Sequence, residues 1–159
     1  GELVLDPEQG TFHVVTGRSE ALVLPEKKSF SGKRMRVRNG SAPAAFFLAS
    51  ADNRPLPESR RLLLMHLTDV KCDGQTFADR ERTIQEKAGD PGKMLLRRNR
   101  AELFLKLSGE FRIFACDSSG KRLFELPVDG RERDGTVRLI LDNGANDRSI
   151  LLYELEVGK

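Results

Sequence analysis

The sequence of 159 residues contains no tryptophan, only one tyrosine and no long apolar run. The longest apolar runs are short segments such as residues 62–65, so no membrane-spanning helix is predicted. The motifs GxGxxG, GxxxxGK[ST] and GxSxG are also missing, which argues against a phosphate-binding loop or a nucleophile elbow. A net charge of +3, from 27 Lys and Arg against 24 Asp and Glu, is too balanced to indicate a nucleic-acid binder. The basic clusters also lack the interleaved aromatic residues of a single-strand groove.

The shortage of large amphipathic aromatics bears on sugar binding. Sugar rings stack on exposed Trp or Tyr, whose rings tolerate both water and apolar contact. Tyr153 lies inside an apolar run, and the nine Phe are mostly flanked by apolar residues, as at Phe46 and Phe47. No aromatic platform for a sugar is therefore predicted.

Cysteine is almost as scarce. Cys72 and Cys116 lie far apart, with no CxxC motif and no histidine at ligand spacing, which argues against a zinc site. Two unpaired, partly buried thiols are the favoured interpretation, and one disulfide is the alternative.

Alternation of apolar and polar residues recurs along most of the chain. It places successive side chains on opposite faces of a sheet and is typical of half-buried strands. The breaks between the runs are rich in Gly, Asn and Asp, which favour hairpin turns. The clearest predicted strands cover residues 11–16, 21–24, 33–38, 44–49, 102–107, 111–115, 136–141 and 150–157.

About twelve strands at a spacing of about thirteen residues predict an all-β, two-sheet antiparallel β-sandwich, jelly-roll-like in its connections. No linker, repeat or low-complexity tract divides the chain, so residues 1–159 are expected to form a single domain. Two segments remain ambiguous. Residues 57–66 fit a buried helix or a strand covered on both faces, and residues 78–87 fit an exposed helical turn or an excursion between strands.

The residues that carry chemistry form no recognisable catalytic set. His13 and His66 lie in apolar surroundings, which favours core or strand-face roles over catalysis. Most acidic residues lie in turns or on the polar side of strands, so no catalytic residue is assigned. On residues 33–38 the basic side chains share one face, as on a solvated sheet.

One polar loop, residues 142–149, is the best candidate for ligand binding. Asp142, Asn143, Asn146 and Asp147 lie close together there and offer oxygen atoms to sugar hydroxyls or to a structural calcium ion. The alternative for these residues is an ordinary hairpin tip. No other cofactor or metal is predicted.

Residues 49–64, ASADNRPLPESRRLLL, are the most distinctive stretch of the chain. They resemble the pattern SLDGKPLxxSRRxLL found in C-terminal β-sandwich accessory domains of large bacterial glycoside hydrolases, whose catalytic unit is a (β/α)8 barrel. Residues 88–96 are similar to a diverged form of the family's WGxxPVLxEP stretch, residues 111–122 to its VYALDxxGKR hairpin, and residues 152–155 to its LWYEI strand. In this chain Asn53 stands at the usual turn glycine.

The resemblance covers residues 44–157 in order and implies that residues 61–68 form a central strand, with residues 56–59 in the preceding turn. It implies an accessory domain, itself not an enzyme, at the C-terminal end of a secreted carbohydrate-active enzyme. The expected partner is the catalytic barrel of the same polypeptide, and the expected location is extracellular or periplasmic. A start at Gly1 rather than Met favours a piece cut from a longer protein. The alternative function is a carbohydrate-binding module that holds a polysaccharide in polar loops such as 71–80 and 142–149.

Overall fold

The computed structural model describes residues 1–79, 82–107 and 109–158, and it is an all-β fold built from antiparallel strands. The described strands are β1 (Glu2–Asp6), β2 (Thr11–Val15), β3 (Ser19–Leu24), β4 (Ser29–Ser31), β5 (Met35–Arg38), β6 (Ala44–Ser50), β7 (Arg61–Leu67), β8 (Val70–Asp73), β9 (Thr76–Phe77), β10 (Gln85–Lys87), β11 (Asp90–Leu96), β12 (Arg100–Leu105), β13 (Phe111–Cys116), β14 (Arg122–Leu126), β15 (Gly130–Arg131), β16 (Val137–Asp142) and β17 (Leu152–Val157). A single 3₁₀ turn, Ala145–Asp147, precedes β17.

Two sheets face each other across one core. The larger sheet has eight strands in the order β1-β2-β3-β6-β7-β17-β13-β14, and the smaller has five in the order β15-β16-β12-β5-β4. Their inward side chains form a single apolar cluster that includes Leu22, Phe46, Leu64, Leu103 and Leu139, each fully buried. The predicted β-sandwich is confirmed.

Strand alternation accounts for most of the predicted elements. Buried and half-buried residues alternate along the whole of β16 and along β6 as far as Ala49. In the ambiguous segment 57–66, the residues from Arg61 onward belong to strand β7. This strand is the fifth of the eight in the larger sheet, which agrees with the central strand that the resemblance implies. Leu56 is buried in the turn before it.

That turn is organised by Asp52. Its carboxylate accepts hydrogen bonds from the Arg60 N–H at 2.8 Å and from the hydroxyls of Ser59 and Ser50 at 2.7 Å and 2.9 Å. These bonds, the Arg60 bond foremost, hold the pKa of Asp52 below its usual value. Asn53 adopts a left-handed conformation with φ of 65°, which glycine and asparagine tolerate best.

Residues 70–79 and 82–96 form a ribbon outside the two sheets, in which β8 pairs with β11 and β9 with β10. None of its described residues belongs to the core cluster. The strand prediction missed this ribbon because its strands are short and mostly exposed. Strand β10 lies in the segment 78–87 that is also compatible with a helical turn, and residues 80 and 81 of that segment lie outside the described residues.

Candidate functional site

The four residues of the predicted polar-loop site are divided between the interior and the surface. Asn143 is fully buried, Asp142 is half-buried at the end of β16, and Asn146 and Asp147 are exposed in the 3₁₀ turn. Burial opposes the charge of Asp142, but hydrogen bonds and attraction from Arg98 overcome it and keep the pKa of Asp142 below its usual value. Asp142 and Asn143 therefore already have structural partners.

Asn143 joins the loop to the base of the ribbon. Its amide donates to the Thr68 hydroxyl at 2.9 Å and to the Arg97 carbonyl at 3.0 Å, while its side-chain oxygen accepts from the Asn99 N–H at 2.8 Å. The Thr68 hydroxyl in turn donates to the Arg97 carbonyl at 2.6 Å. Asn143 thus fixes where the ribbon leaves the sandwich.

The predicted calcium ion would have to use the remaining groups of this loop. Within residues 1–79, 82–107 and 109–158, no three His, Cys, Asp or Glu side chains come together as metal ligands. The Asp142 carboxylate also accepts from the Gly144 N–H at 2.9 Å. Calcium binding stays a prediction that would rest on Asp147 and on backbone or amide oxygens.

Both histidines lie on the inner side of the eight-stranded sheet, as predicted from their apolar neighbours. His66 is fully buried, is stacked on Phe46 with ring centroids 4.8 Å apart, and accepts a hydrogen bond from Asn99 through Nε2 at 3.1 Å. Burial lowers the pKa of His66 to about 4, so its imidazole is neutral at pH 7. Among the described residues, its Nδ1 and the Tyr153 hydroxyl have no hydrogen-bond partner.

Tyr153 is 1% exposed, which removes the one tyrosine as a sugar platform. Cys72 and Cys116 are unpaired, as favoured, and burial raises the pKa of the Cys116 thiol.

Glu20 is a buried carboxylate whose hydrogen bonds connect the two sheets. It projects from β3 and accepts the N–H groups of Lys33 and Arg34 at 2.6 Å and 2.7 Å, just before β5 of the other sheet. His13 donates to the same carboxylate from Nε2 at 3.0 Å. Because these backbone N–H groups and the His13 ring already donate hydrogen bonds to the carboxylate, its role is structural.

The outer face of the eight-stranded sheet offers a different kind of site. Inward residues such as Leu22, Phe46 and Leu64 fix which side chains point outward, because cross-strand partners share a face. On the β1–β7 side and at the start of β17, the outward residues are almost all apolar. This apolar face consists of Leu3, Leu5, Phe12, Val14, Ala21, Val23, Ala45, Phe47, Ala49, Leu63, Met65, Leu67 and Leu152.

The apolar face is partly open to solvent, since four of its side chains are exposed and the others, Phe47 included, are half-buried. Leu3 and Leu5 are 67% and 65% exposed, and Val23 is 41% exposed in the third strand of the sheet. Phe47 lies near the centre, opposite Ala21 on one side and Met65 on the other. Aromatic residues are enriched in interfaces and anchor residues cluster near the interface centre, so Phe47 is the candidate anchor of this face.

The other half of the same outer face is covered by its own charged side chains. The Phe114 ring lies beneath the guanidinium groups of Arg122 and Arg112, at 4.1 Å and 4.8 Å from its centroid. Arg122 also binds Glu154 at 2.7 Å, and Arg112 binds Glu125 at 3.0 Å. Phe114 is consequently only 8% exposed although it points outward.

The five-stranded sheet covers its outer face in the same way. The Arg36 guanidinium lies 4.0 Å from the Phe104 centroid, and Glu102 binds Arg138 at 2.9 Å and Arg38 at 3.3 Å. This agrees with the prediction of a solvated basic face on residues 33–38. Among the residues that the structure describes, no guanidinium group lies over the aromatic rings of the apolar face as it does on the other two outer surfaces.

The sequence carried a signal for this surface. Strands β6 and β7 read AAFFLAS and RLLLMHL, nearly continuous apolar runs of the kind found in strands covered on both faces. The ambiguity of residues 57–66 came from the same property. In this structure, the outer side of these strands is uncovered.

Comparison with family models, with curated proteins and with solved structures finds no match to this chain. No helix among the described residues is long and apolar enough to cross a membrane.

Proposed function

We propose that this chain is a non-catalytic accessory β-sandwich domain that docks through its apolar face onto a neighbouring domain of the same polypeptide. The observation that carries the proposal is the contrast between the bare apolar face and the two outer surfaces that cover their own aromatic rings. The largest contiguous apolar patch on a monomer commonly measures about 300–600 Å² and is often a functional surface. The resemblance to glycoside hydrolase accessory domains adds a candidate for the neighbour, a catalytic barrel.

The size of the face favours a tethered partner. Five strands about 4.8 Å apart and two to three rows about 6.8 Å apart give an apolar surface of roughly 400 Å². Contacts between domains of one chain commonly bury about 300–750 Å² on each side, whereas obligate dimers bury about 1,000 Å² or more. Tethering supplies a high effective concentration, so a smaller contact suffices.

The chemistry of the face also defines the partner surface. It should present an apolar patch of similar size with few charges at its centre, because an unpaired charge opposite Phe47 would be buried without compensation. Polar groups of the partner would meet the charged side chains around Arg61 and Glu154 at the edge of the face.

Two matched substitutions test the proposal. Val23→Glu places a carboxylate in the apolar face, and Val128→Glu places one at an equally exposed valine, 41% against 44%, outside it. In the assay the domain encoded next to this chain stays on the same polypeptide, because docking depends on the tether, and the NMR chemical shifts of residues on the apolar face measure the docking equilibrium. We expect Val23→Glu to weaken docking at least tenfold and Val128→Glu to leave it unchanged, with urea denaturation confirming that both variants fold. Equal docking of the two variants, or a reading frame without a second domain, would contradict the proposal.

A further inference from the structure

Strand β1 forms an open edge of the eight-stranded sheet. In the described part of the chain it pairs only with β2, and none of its residues belongs to the core cluster. Leu3, Val4 and Leu5 are 67%, 44% and 65% exposed, so side chains on both faces of the strand meet solvent. The strand therefore lies outside the packed interior, with its free edge accessible to another chain segment.

The hydrogen-bond pattern shows which backbone groups lie at this edge. The Thr16 N–H donates to the Ser19 carbonyl at 2.9 Å, so these residues form a hydrogen-bonded pair of the β2–β3 hairpin. Successive residues of an antiparallel strand direct their backbone groups to opposite sides, so the odd-numbered residues of β2 face β1. Their partners on β1 are its even-numbered residues. Leu3 and Leu5 consequently direct their N–H and C=O groups to the open edge, where each offers one donor and one acceptor.

The other three edges of the two sheets carry features that discourage strand addition. Strands β15 and β4 have only two and three residues. The pairing of β14 with β13 contains a register shift, and Arg122 and Glu125 of β14 form ion pairs with neighbouring strands. Short length, bulges and charged side chains are the usual protection of edge strands. The described register of β1 with β2 runs without a shift over five residues, and its three central residues are apolar.

The charges at the ends of β1 define the strand that fits beside it. Glu2 and Asp6 lie on the side of β1 that faces away from the apolar face. Residues 1–17 contain three carboxylates and no Lys or Arg, although the whole chain has a net charge of +3. A second copy of β1, paired antiparallel over its full length, would place Glu2 opposite Asp6 at both ends, and like charges in opposite positions destabilise a sheet. A strand with basic residues at its ends and apolar residues between them is complementary instead.

We propose that β1 accepts, as an additional antiparallel strand, an extended segment of the domain that docks on the apolar face. This inference rests on the proposed function and specifies how the docked domain is held. Leu3 and Leu5 belong to the apolar face, so a strand added beside them continues that face. In strand addition, main-chain hydrogen bonds supply affinity and the alternating side chains supply specificity. The segment carries apolar residues beside the two leucines and Lys or Arg beside the two acidic ends of β1.

Amide hydrogen exchange, followed by NMR, tests the pairing. It is compared between the isolated chain and the complete polypeptide, which the proposed function expects to carry the second domain. We expect the Leu3 and Leu5 amides to exchange at least tenfold more slowly in the complete polypeptide, because they gain hydrogen bonds there. An NOE between the Val4 Hα and an Hα of the second domain should accompany this protection, because Val4 would occupy a non-hydrogen-bonded pair of the new antiparallel ladder.

Two variants of one residue separate strand pairing from apolar contact. Leu5→Pro removes an N–H at the open edge without removing a bond to β2, whereas Leu5→Ala truncates the same side chain and keeps the N–H. We expect Leu5→Pro to abolish the protection of Leu3 and the NOE, and Leu5→Ala to keep both. Urea denaturation of the isolated chains confirms that both variants fold.

A second pair of variants tests the charge complementarity. Glu2→Lys places a basic residue opposite the basic end of the added strand and should lower the protection of Leu3 by about threefold. Glu8→Lys makes the same change in the exposed turn after β1 and should leave the protection unchanged. Equal protection in the two variants would contradict the assignment of a basic partner strand.

The outcomes separate this inference from the proposed function. Strand addition is wrong, and docking stands, when the shifts of the apolar face report docking but Leu3 and Leu5 exchange equally fast in both samples. Slower exchange without the Val4 NOE shows that the edge is covered but not paired, which also overturns the inference. Protection that is present in the isolated chain and is lost on dilution identifies a second copy as the occupant instead. Failure of docking itself, which the valine variants detect, overturns both.

Discussion

His66 should make the stability of this domain fall on mild acidification. Burial lowers the pKa of its imidazole to about 4, against 6.5 for an unhindered histidine. Below pH 6.5 the imidazole is therefore protonated in the unfolded chain but still neutral in the folded chain. The contribution of His66 to stability is fully present above pH 6.5 and is lost as the pH falls towards 4. Protonation would also put a hydrogen on the Nε2 that accepts from Asn99.

The size of the effect follows from the two pKa values. Linkage predicts that the free energy of unfolding drops by about 2 kcal/mol between pH 7 and pH 5 through His66 alone. The variant His66→Gln removes the titrating group and keeps an acceptor within reach of Asn99. Urea denaturation of both proteins, followed by circular dichroism and by the fluorescence of the single Tyr153, measures the difference.

The comparison isolates His66 because His13 and all carboxylates are common to both proteins. We expect the wild-type free energy to fall by about 2 kcal/mol more than that of His66→Gln over the same two pH values. Parallel losses in the two proteins, or an NMR titration of His66 near its ordinary pKa, would refute the reasoning.

Other substitutions test the buried polar contacts. Glu20→Gln removes the charged acceptor that joins the two sheets and should cost about 3 kcal/mol in urea denaturation, whereas a loss below about 0.5 kcal/mol would show that the contact is dispensable. Asn143→Ala, which breaks three hydrogen bonds at the base of the ribbon, should cost about 2–3 kcal/mol by the same measurement, and Asn146→Ala in the exposed turn should stay within about 0.5 kcal/mol. Equal effects of the two asparagine variants would contradict the assignment of Asn143 to the fold. Iodoacetamide should modify Cys72 in the native protein while Cys116 reacts only after unfolding, because burial raises the pKa of the Cys116 thiol and shields it, and similar native rates would contradict this.

Sequence patterns were sufficient for the sandwich because alternation reports directly which face of a strand is buried. They were insufficient for the ribbon, since β8–β11 contribute nothing to the core cluster and so carry little alternation. The polar-loop residues were close in sequence, but the sequence could not show that Asn143 is buried while Asp147 is exposed. That distinction depends on Thr68 and Arg97, which meet the loop only in the folded chain.

The apolar face also exceeds what the sequence patterns could predict. The apolar runs in β6 and β7 indicated strands covered on both faces. Only the cross-strand register shows that outward residues of the neighbouring strands extend the same face. Sequence alternation alone does not determine which of two apolar sides faces the core.

The three methionines provide the most direct test of the central claim, that the apolar face is covered by another domain. Met35 is fully buried, Met65 lies on the apolar face, and Met94 is 62% exposed on the ribbon. Peroxide oxidation, quantified by peptide mass spectrometry, is compared between the isolated chain and the complete polypeptide, which the proposal expects to carry the second domain. The account predicts that Met65 is oxidised in the isolated chain and protected in the complete polypeptide, while Met94 reacts in both and Met35 in neither. Equal oxidation of Met65 in the two samples would contradict it.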